Sequence, residues 1–337
     1  MPLIPRIRRG PRGPRLPVAV PERESRIERI DWQPPEGSDA RPLRWLNIER
    51  PATLEMDALA LEFDFHELDY EDVLSRRQRP KVDEYADYLF VVLHLPRYDK
   101  SAGRLGTAEL DVFIGPDYLI TCPNQPLRAL GRVFHRCQAD PAYRDEMFAK
   151  GSGFLLYVVL SELFDYCFPI LDKIGHKLDE IEDGIFEGRA KEMVRQISNA
   201  KQEIIAYRKI IGPELPTLRV LEAKTASRFL PGTLEVYFDD VIDAGQRIWD
   251  ILENYKEVVE ALEGTNETVV SHNLNDTLLL LTMLNALVLP MTFITGLWGM
   301  NVPLPLQDAD HAFVLIIGII AIVVTLFVLA FRRWRRF

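Results

Sequence analysis

Chemistry-bearing motifs are scarce in this 337-residue chain. It has three cysteines, Cys122, Cys137 and Cys167, none in a CxxC spacing. They read as reduced packing residues of a cytosolic domain rather than as disulfides or a zinc site. The six histidines are dispersed, and none stands at metal-ligand spacing from a cysteine. There is no P-loop to power a pump with ATP and neither HExxH nor GxSxG, so no enzyme and no organic cofactor are expected. No secretory leader is expected, because Met1–Pro21 is rich in Pro and Arg and has no apolar core. Positive charge is thin in the middle of the chain. Residues 1–30 hold eight Arg against three Glu, whereas Glu235–Asp276 holds eleven acidic residues and only Arg247 and Lys256, within a net charge of −10. Such an acidic middle speaks against nucleic acid as a partner and for cations.

What the chain does have is a long uncharged run, Leu278–Leu297. It is long enough to cross the hydrocarbon core of a bilayer as a helix, which takes about 20 apolar residues. Its polar residues are ordered. Asn275, Leu278, Thr282, Asn285, Leu289, Thr292 and Gly296 follow one another by steps of three and four, one stripe of a helix, with Leu281 beside it. Asn and Thr inside a span face either neighbouring helices or a water-filled path, and the stripe alone leaves both readings open. The run ends in Gly296-Leu297-Trp298-Gly299-Met300-Asn301: two glycines that stop a helix, an interfacial tryptophan and a free amide. A second uncharged run, Ala312–Phe331, precedes Arg332-Arg333-Trp334-Arg335-Arg336. The arginines place the C-terminus in the cytoplasm. Two spans then return the soluble part to that side and turn Val302–His311 outward.

Upstream, residues 1–28 read as a disordered basic tail able to touch anionic lipid. Residues 29–150 read as an α/β domain with a mixed sheet. Trp45-Leu46-Asn47-Ile48 is expected as its first strand and Thr53 as the cap of a first helix. Tyr88–Leu95 is strongly β-prone, and Glu109–Ile114 pairs with Tyr118–Cys122 across Gly115-Pro116-Asp117. Residues 151–233 read as paired helices, Phe154–Phe186 and Ala190–Ile211, linked by Gly188, with the acidic run Leu178–Asp183 as a solvated face. From residue 234 to 297 one helix of roughly 95 Å, at about 1.5 Å per residue, runs as a stalk into the first span. Val241, Gly245, Ile248, Leu252, Tyr255, Val259, Leu262, Asn266 and Val269 give it a heptad seam, which implies that copies associate. Residues 298–311 form the outer loop, 312–331 the second span and 332–337 a basic cytoplasmic tail. The expected fold class is thus an α/β cytoplasmic domain plus a long α-helical stalk and two C-terminal transmembrane helices. A two-span subunit cannot enclose a pore alone, so a homo-oligomer in membrane lipid is expected.

Two terminal spans joined by a loop carrying Gly299-Met300-Asn301, preceded by Pro290-Met291-Thr292-Phe293-Ile294, resemble the CorA family of divalent-cation transporters. The resemblance extends upstream through Glu71-Asp72-Val73-Leu74 and Gln78–Tyr85, so it covers roughly residues 45–337. It implies a pentameric funnel in the inner cell membrane that passes Mg²⁺, with Co²⁺ or Ni²⁺ also accepted. Gly299, Met300 and Asn301 would form the outer mouth, where a ring of amides suits a hydrated ion that sheds water reluctantly. Asp308 and Asp310 would add an acidic rim. Asn275, Leu278, Leu281, Thr282, Asn285, Leu289, Thr292 and Gly296 would line the pore, with leucine rings gating by dewetting. Asp99 and Asp240 match a pair of family aspartates that meet between subunits and would hold a regulatory Mg²⁺. The alternatives are the zinc-transporting branch of the superfamily, or a membrane-anchored oligomeric sensor that does not conduct.

Overall fold

The computed structural model describes residues 26–75, 78–99, 104–229, 236–300 and 311–334. Two compact units divide the chain: residues 1–177 with 200–257, and residues 178–199 with 258–337.

The first unit is built on a six-stranded mixed sheet in the order β1-β2-β6-β5-β4-β3. Its strands are β1 (Ile27–Trp32), β2 (Leu43–Ile48), β3 (Lys81–Glu84), β4 (Leu89–Asp99), β5 (Arg104–Ile114) and β6 (Tyr118–Pro123). All pairs are antiparallel except β2 with β6. The edge strand β1 begins at Ile27, inside the expected tail, and makes β2 the second strand rather than the first. One face carries Leu46, Ile48, Phe90, Val92, Phe113, Ile120 and Cys122, packed with Met56 and Leu59 of α1 (Thr53–Glu62), Phe65, and Val73 of α2 (Glu67–Ser75). The other face carries Trp45, fully buried, whose ring meets the edge of Phe134 at 4.9 Å and whose Nε1 donates to Thr121 Oγ1. Phe134 lies on α3 (Arg128–Ala139), which is followed by α4 (Pro141–Phe148) and α5 (Ser152–Asp165).

Local chemistry departs from the expected pattern at three places. Thr53 is already helical and gives no cap bond. Instead Glu55 reaches back, its Oε2 accepting from Ala52 N at 3.0 Å. The long helix expected over Phe154–Phe186 is broken at Tyr166-Cys167, and α6 (Phe168–Gly184) restarts with Pro169 in its first turn, where a missing N–H costs nothing. The following helix does not stop near Ile211: α7 (Ala190–Arg228) runs through Pro213 and Pro216. Tertiary contacts outweigh the proline penalty there. Glu214 Oε1 accepts His94 N of β4 at 2.7 Å, Leu218 and Leu221 are buried, and Thr217 Oγ1 donates to the Pro213 carbonyl at 3.0 Å. Between α6 and α7 the chain turns at Gly188, whose φ of +87° favours glycine.

Helix α8 (Val236–Trp298) is one 63-residue helix. Val241, Gly245, Ile248, Leu252, Val259, Leu262 and Asn266 are all buried within one chain, and Tyr255 and Val269 are partly covered. A Cβ on Gly245 would meet Leu215 at 3.1 Å and Phe164 at 3.4 Å, so α8 lies close against α7 and α5 at this point. The heptad seam is therefore satisfied inside a single chain, and association between copies does not follow from it. The second unit holds the α6–α7 turn, the remainder of α8, and α9 (Ala312–Trp334).

Candidate functional site

Two apolar stretches of helix differ in kind. The apolar window within Ser152–Ala226 is 56% buried and serves as soluble core, whereas that of Val236–Trp298 is 0% buried. Together with α9, whose 23 residues are uncharged until Arg332, the latter makes two candidate transmembrane helices.

The membrane part of α8 has two faces. Met283, Leu287, Pro290, Ile294 and Leu297, spaced by three and four, are half-buried inside their unit. On α9, Ile316, Ile320, Val323 and Phe327 form a similar half-buried stripe. Asn275, Leu278, Leu281, Thr282, Asn285, Leu289, Thr292 and Gly296 are all exposed. The polar stripe thus lies on a bare face of the single chain. The threonine hydroxyls on it are already oriented: Thr282 Oγ1 donates to the Leu278 carbonyl at 2.8 Å and Thr292 Oγ1 to Val288 at 3.0 Å. With their protons spent on the helix, these oxygens present only lone pairs outward, which suits water or a hydrated cation. Asn275 adds an amide before them and Asn285 one between them.

At the end of α8, Gly299 N donates to Thr295 O at 2.9 Å, and a Cβ on Gly299 would press on that same carbonyl at 3.1 Å. A larger residue would require that carbonyl to give by a few tenths of an ångström. Met300 is exposed beyond it. The last carbonyls of a helix carry negative partial charge, so this end favours cations. Asn301, Asp308 and Asp310 lie outside the described residues.

Asp99 ends β4, paired in register with Arg104 of β5. Asp240 is exposed in the second turn of α8. Its charge is felt by Tyr157, whose hydroxyl pKa is raised by burial first and Asp240 second.

Other carboxylates drew no attention from the sequence. Glu109 and Asp111 of β5 are 3% and 0% exposed, and share a sheet face with Phe113. Glu109 Oε2 lies 3.3 Å from His94 Nε2, its Oε1 has no partner, and neither oxygen of Asp111 has one among the described residues. Burial, with Glu109 and Asp72 adding repulsion, holds the Asp111 carboxyl well above the usual range. Nearby, Asp69, Asp72 and Asp83 offer oxygens within 4.8 Å of one another, the geometry of a metal site. They are already satisfied: Lys81 Nζ binds Asp72 at 2.7 Å and Asp83 at 2.5 Å, and Tyr85 and Tyr88 donate to Asp69. The sequence signal for this cluster was the acidic-basic alternation around Lys81, which looks the same on a solvated surface.

Two candidate transmembrane helices, one with a polar stripe and a cation-favouring end, define the class of an integral membrane protein with a polar face inside its span. The family model described as "CorA-like Mg2+ transporter protein" matches residues 41–333. The chain is 26% identical over 298 residues to the cobalt/magnesium transport protein CorA of Thermotoga maritima, covering 88% of this chain and 84% of that protein. It is 25% identical over 295 residues to the cobalt/magnesium transport protein CorA of Methanocaldococcus jannaschii, covering 86% and 90%. The solved structure of the CorA magnesium transporter from the latter organism superposes with a TM-score of 0.75 at 23% identity, over 86% of this chain and 90% of that one. The chain belongs to the CorA-like Mg²⁺ transporter family, whose members are ion transporters rather than enzymes.

Proposed function

We propose that this chain forms a homopentameric pore for passive transport of divalent cations, Mg²⁺ above all with Co²⁺ and Ni²⁺ also passing, driven by the inside-negative potential. The observation that carries the reading is the bare stripe from Asn275 to Gly296, exposed on a helix whose opposite side is half-buried from Met283 onward. Amides and threonine oxygens facing lipid are costly, and they are satisfied when copies of the helix close around water. Leu278, Leu281 and Leu289 then narrow the path while Asn275, Thr282, Asn285 and Thr292 hold water. Gly299, Met300 and Asn301 stand at the outer mouth, and Asp308 and Asp310 concentrate cations there. A potential of 100 mV supplies about 4.6 kcal/mol for a divalent ion. The membrane is the inner cell membrane, both termini are cytoplasmic, and residues 29–233 form the cytoplasmic part ahead of the stalk.

Regulation would reside at Asp99 of one subunit and Asp240 of the next. Asp240 fits such a role by chemistry, being an exposed carboxylate. A hard divalent cation supplies the positive charge that two facing carboxylates need. Metal-resolved uptake into proteoliposomes tests the reading. Mg²⁺ and Co²⁺ should enter, Zn²⁺ entry without Mg²⁺ would favour the zinc branch, and no flux of any ion would favour a non-conducting sensor.

A further inference from the structure

The first unit contains a cup that the transport reading does not use. About 510 Å³ in volume, it is walled by Phe63, Phe65, His66, Tyr85, Tyr88 and Tyr118, with Asp64 and Asp87 on its rim. This size lies within the range of small-molecule sites. The walls are fixed in advance. Tyr88 Oη donates to Asp69 Oδ2 at 2.7 Å and accepts from His66 N at 2.8 Å, while Tyr85 Oη donates to Asp69 Oδ1 at 2.9 Å. The Tyr85 and Tyr88 rings stack at 4.5 Å, Phe63 stacks on Phe65 at 5.2 Å, and Tyr118 meets Phe63 edge-on at 4.9 Å.

The charges around the cup select its ligand. Arg44 lies over Phe63 with its carbon 5.5 Å from the ring centroid, so one of these rings already takes a cation. That arginine is bound to Glu62, as is Arg29. Arg228 donates to the carbonyls of Tyr85 and Ala86 and sits 3.6 Å from Glu84, which Lys224 also binds. Asp64 and Asp87 are exposed and form no ion pair among the described residues; with Glu84 shared by Arg228 and Lys224, these two acids outweigh the one surplus cation by a single charge. An inorganic anion is repelled by them. A hydrated Mg²⁺ gains nothing from ring faces unless it sheds water, which it does reluctantly. An alkylammonium ion matches both parts: its hydrocarbon shell lies on the rings and its charge meets a carboxylate.

We infer that this cup binds a small organic ammonium ion, with Asp64 and Asp87 as its charge partners and the Phe63, Tyr85 and Tyr118 rings as its apolar bed. The site stands on the cup alone, so its fate is independent of the proposed transport. Calorimetric titration of the full-length protein in detergent with 1,4-diaminobutane, at fixed Mg²⁺ and ionic strength, tests it. Saturable binding of one molecule per chain is expected. The double substitution Asp64→Asn/Asp87→Asn should weaken it at least tenfold, and Phe63→Leu about threefold, with Mg²⁺ uptake unchanged in both. Circular dichroism on each variant checks that it is folded, and Asp64→Lys alone should abolish binding by placing a fixed cation at the rim. Absence of saturable binding to the wild type, or equal affinity in the folded double variant, overturns the inference.

Discussion

The sheet of the first unit buries Glu109 and Asp111 among Val92, Phe113 and Cys122, while the membrane part of α8 leaves Asn275, Asn285 and Thr292 bare among leucines. Each region sets polar groups in apolar surroundings, but the solutions differ. In the sheet the fold itself sets the neighbours: Glu109 lies against His94, Lys81 binds Asp72 and Asp83, and burial holds the Asp111 carboxyl well above the usual range. On α8 a single chain provides none beyond the threonine bonds to its own carbonyls. The sheet thus covers its carboxyls within one chain, although Asp111 finds no partner among the described residues, whereas the α8 stripe stays bare in one chain. Under the proposed function, other copies and water complete that stripe.

The largest effect that would break this contrast lies at the outer mouth. Asn301→Ala removes an amide from the end of the stripe and no core packing, so Mg²⁺ uptake should fall to background while the oligomer assembles. Wild-type uptake by the purified variant would remove Asn301 from the pathway. A smaller effect sharpens the two faces of the helix. Leu289 is 70% exposed whereas Leu287 is half-buried. Leu289→Asn should raise ion leak by about an order of magnitude through a wetter path, and Leu287→Asn should mainly reduce membrane insertion. Equal leak from both would mean the stripe is not the pore face.

Regulation should respond more modestly. Asp240→Lys puts a fixed cation where Mg²⁺ would sit, so millimolar Mg²⁺ should slow limited proteolysis of the wild type severalfold and leave the variant unchanged. Equal protection of both proteins would place the regulatory site elsewhere. The smallest effect concerns the buried acid. Asp111 and Glu214 both have carboxyl pKa values raised by burial. Their contribution to stability is complete below the ordinary carboxylate range and is lost as pH rises through the folded values. Melting temperature should therefore fall as pH rises above the ordinary carboxylate range, and Asp111→Asn, neutral throughout, should lessen that fall by about a few degrees. A steeper fall in the variant would contradict a raised Asp111 carboxyl pKa.

The spans and the Gly299-Met300 end of α8 were legible because twenty residues without charge and a glycine stop have few other uses. The hairpin at Gly115-Pro116-Asp117 was legible for a similar reason, its Gly115 N donating to the Tyr118 carbonyl at 3.1 Å. Three features were not. The continuation of α7 through Pro213 and Pro216 rests on long-range contacts such as Glu214 with His94, which no local propensity records. The heptad seam, which implies by its period that copies associate, has its residues covered within one chain; periodicity shows that a face is covered, not what covers it. The burial of Glu109 and Asp111 was hidden because an alternating strand looks alike whether its polar face meets water or a helix.

The central claim, that the α8 stripe conducts divalent cations down their electrochemical gradient, is tested most directly in sealed proteoliposomes with an imposed potential and an internal Mg²⁺ indicator. With no ATP present, inside-negative potential should drive Mg²⁺ inward, and the final inside-to-outside ratio should rise about tenfold for every ~30 mV. Reversing the potential should reverse the flux. A final ratio that ignores the potential, or vesicles that stay at background Mg²⁺ despite correctly inserted oligomer, would contradict it.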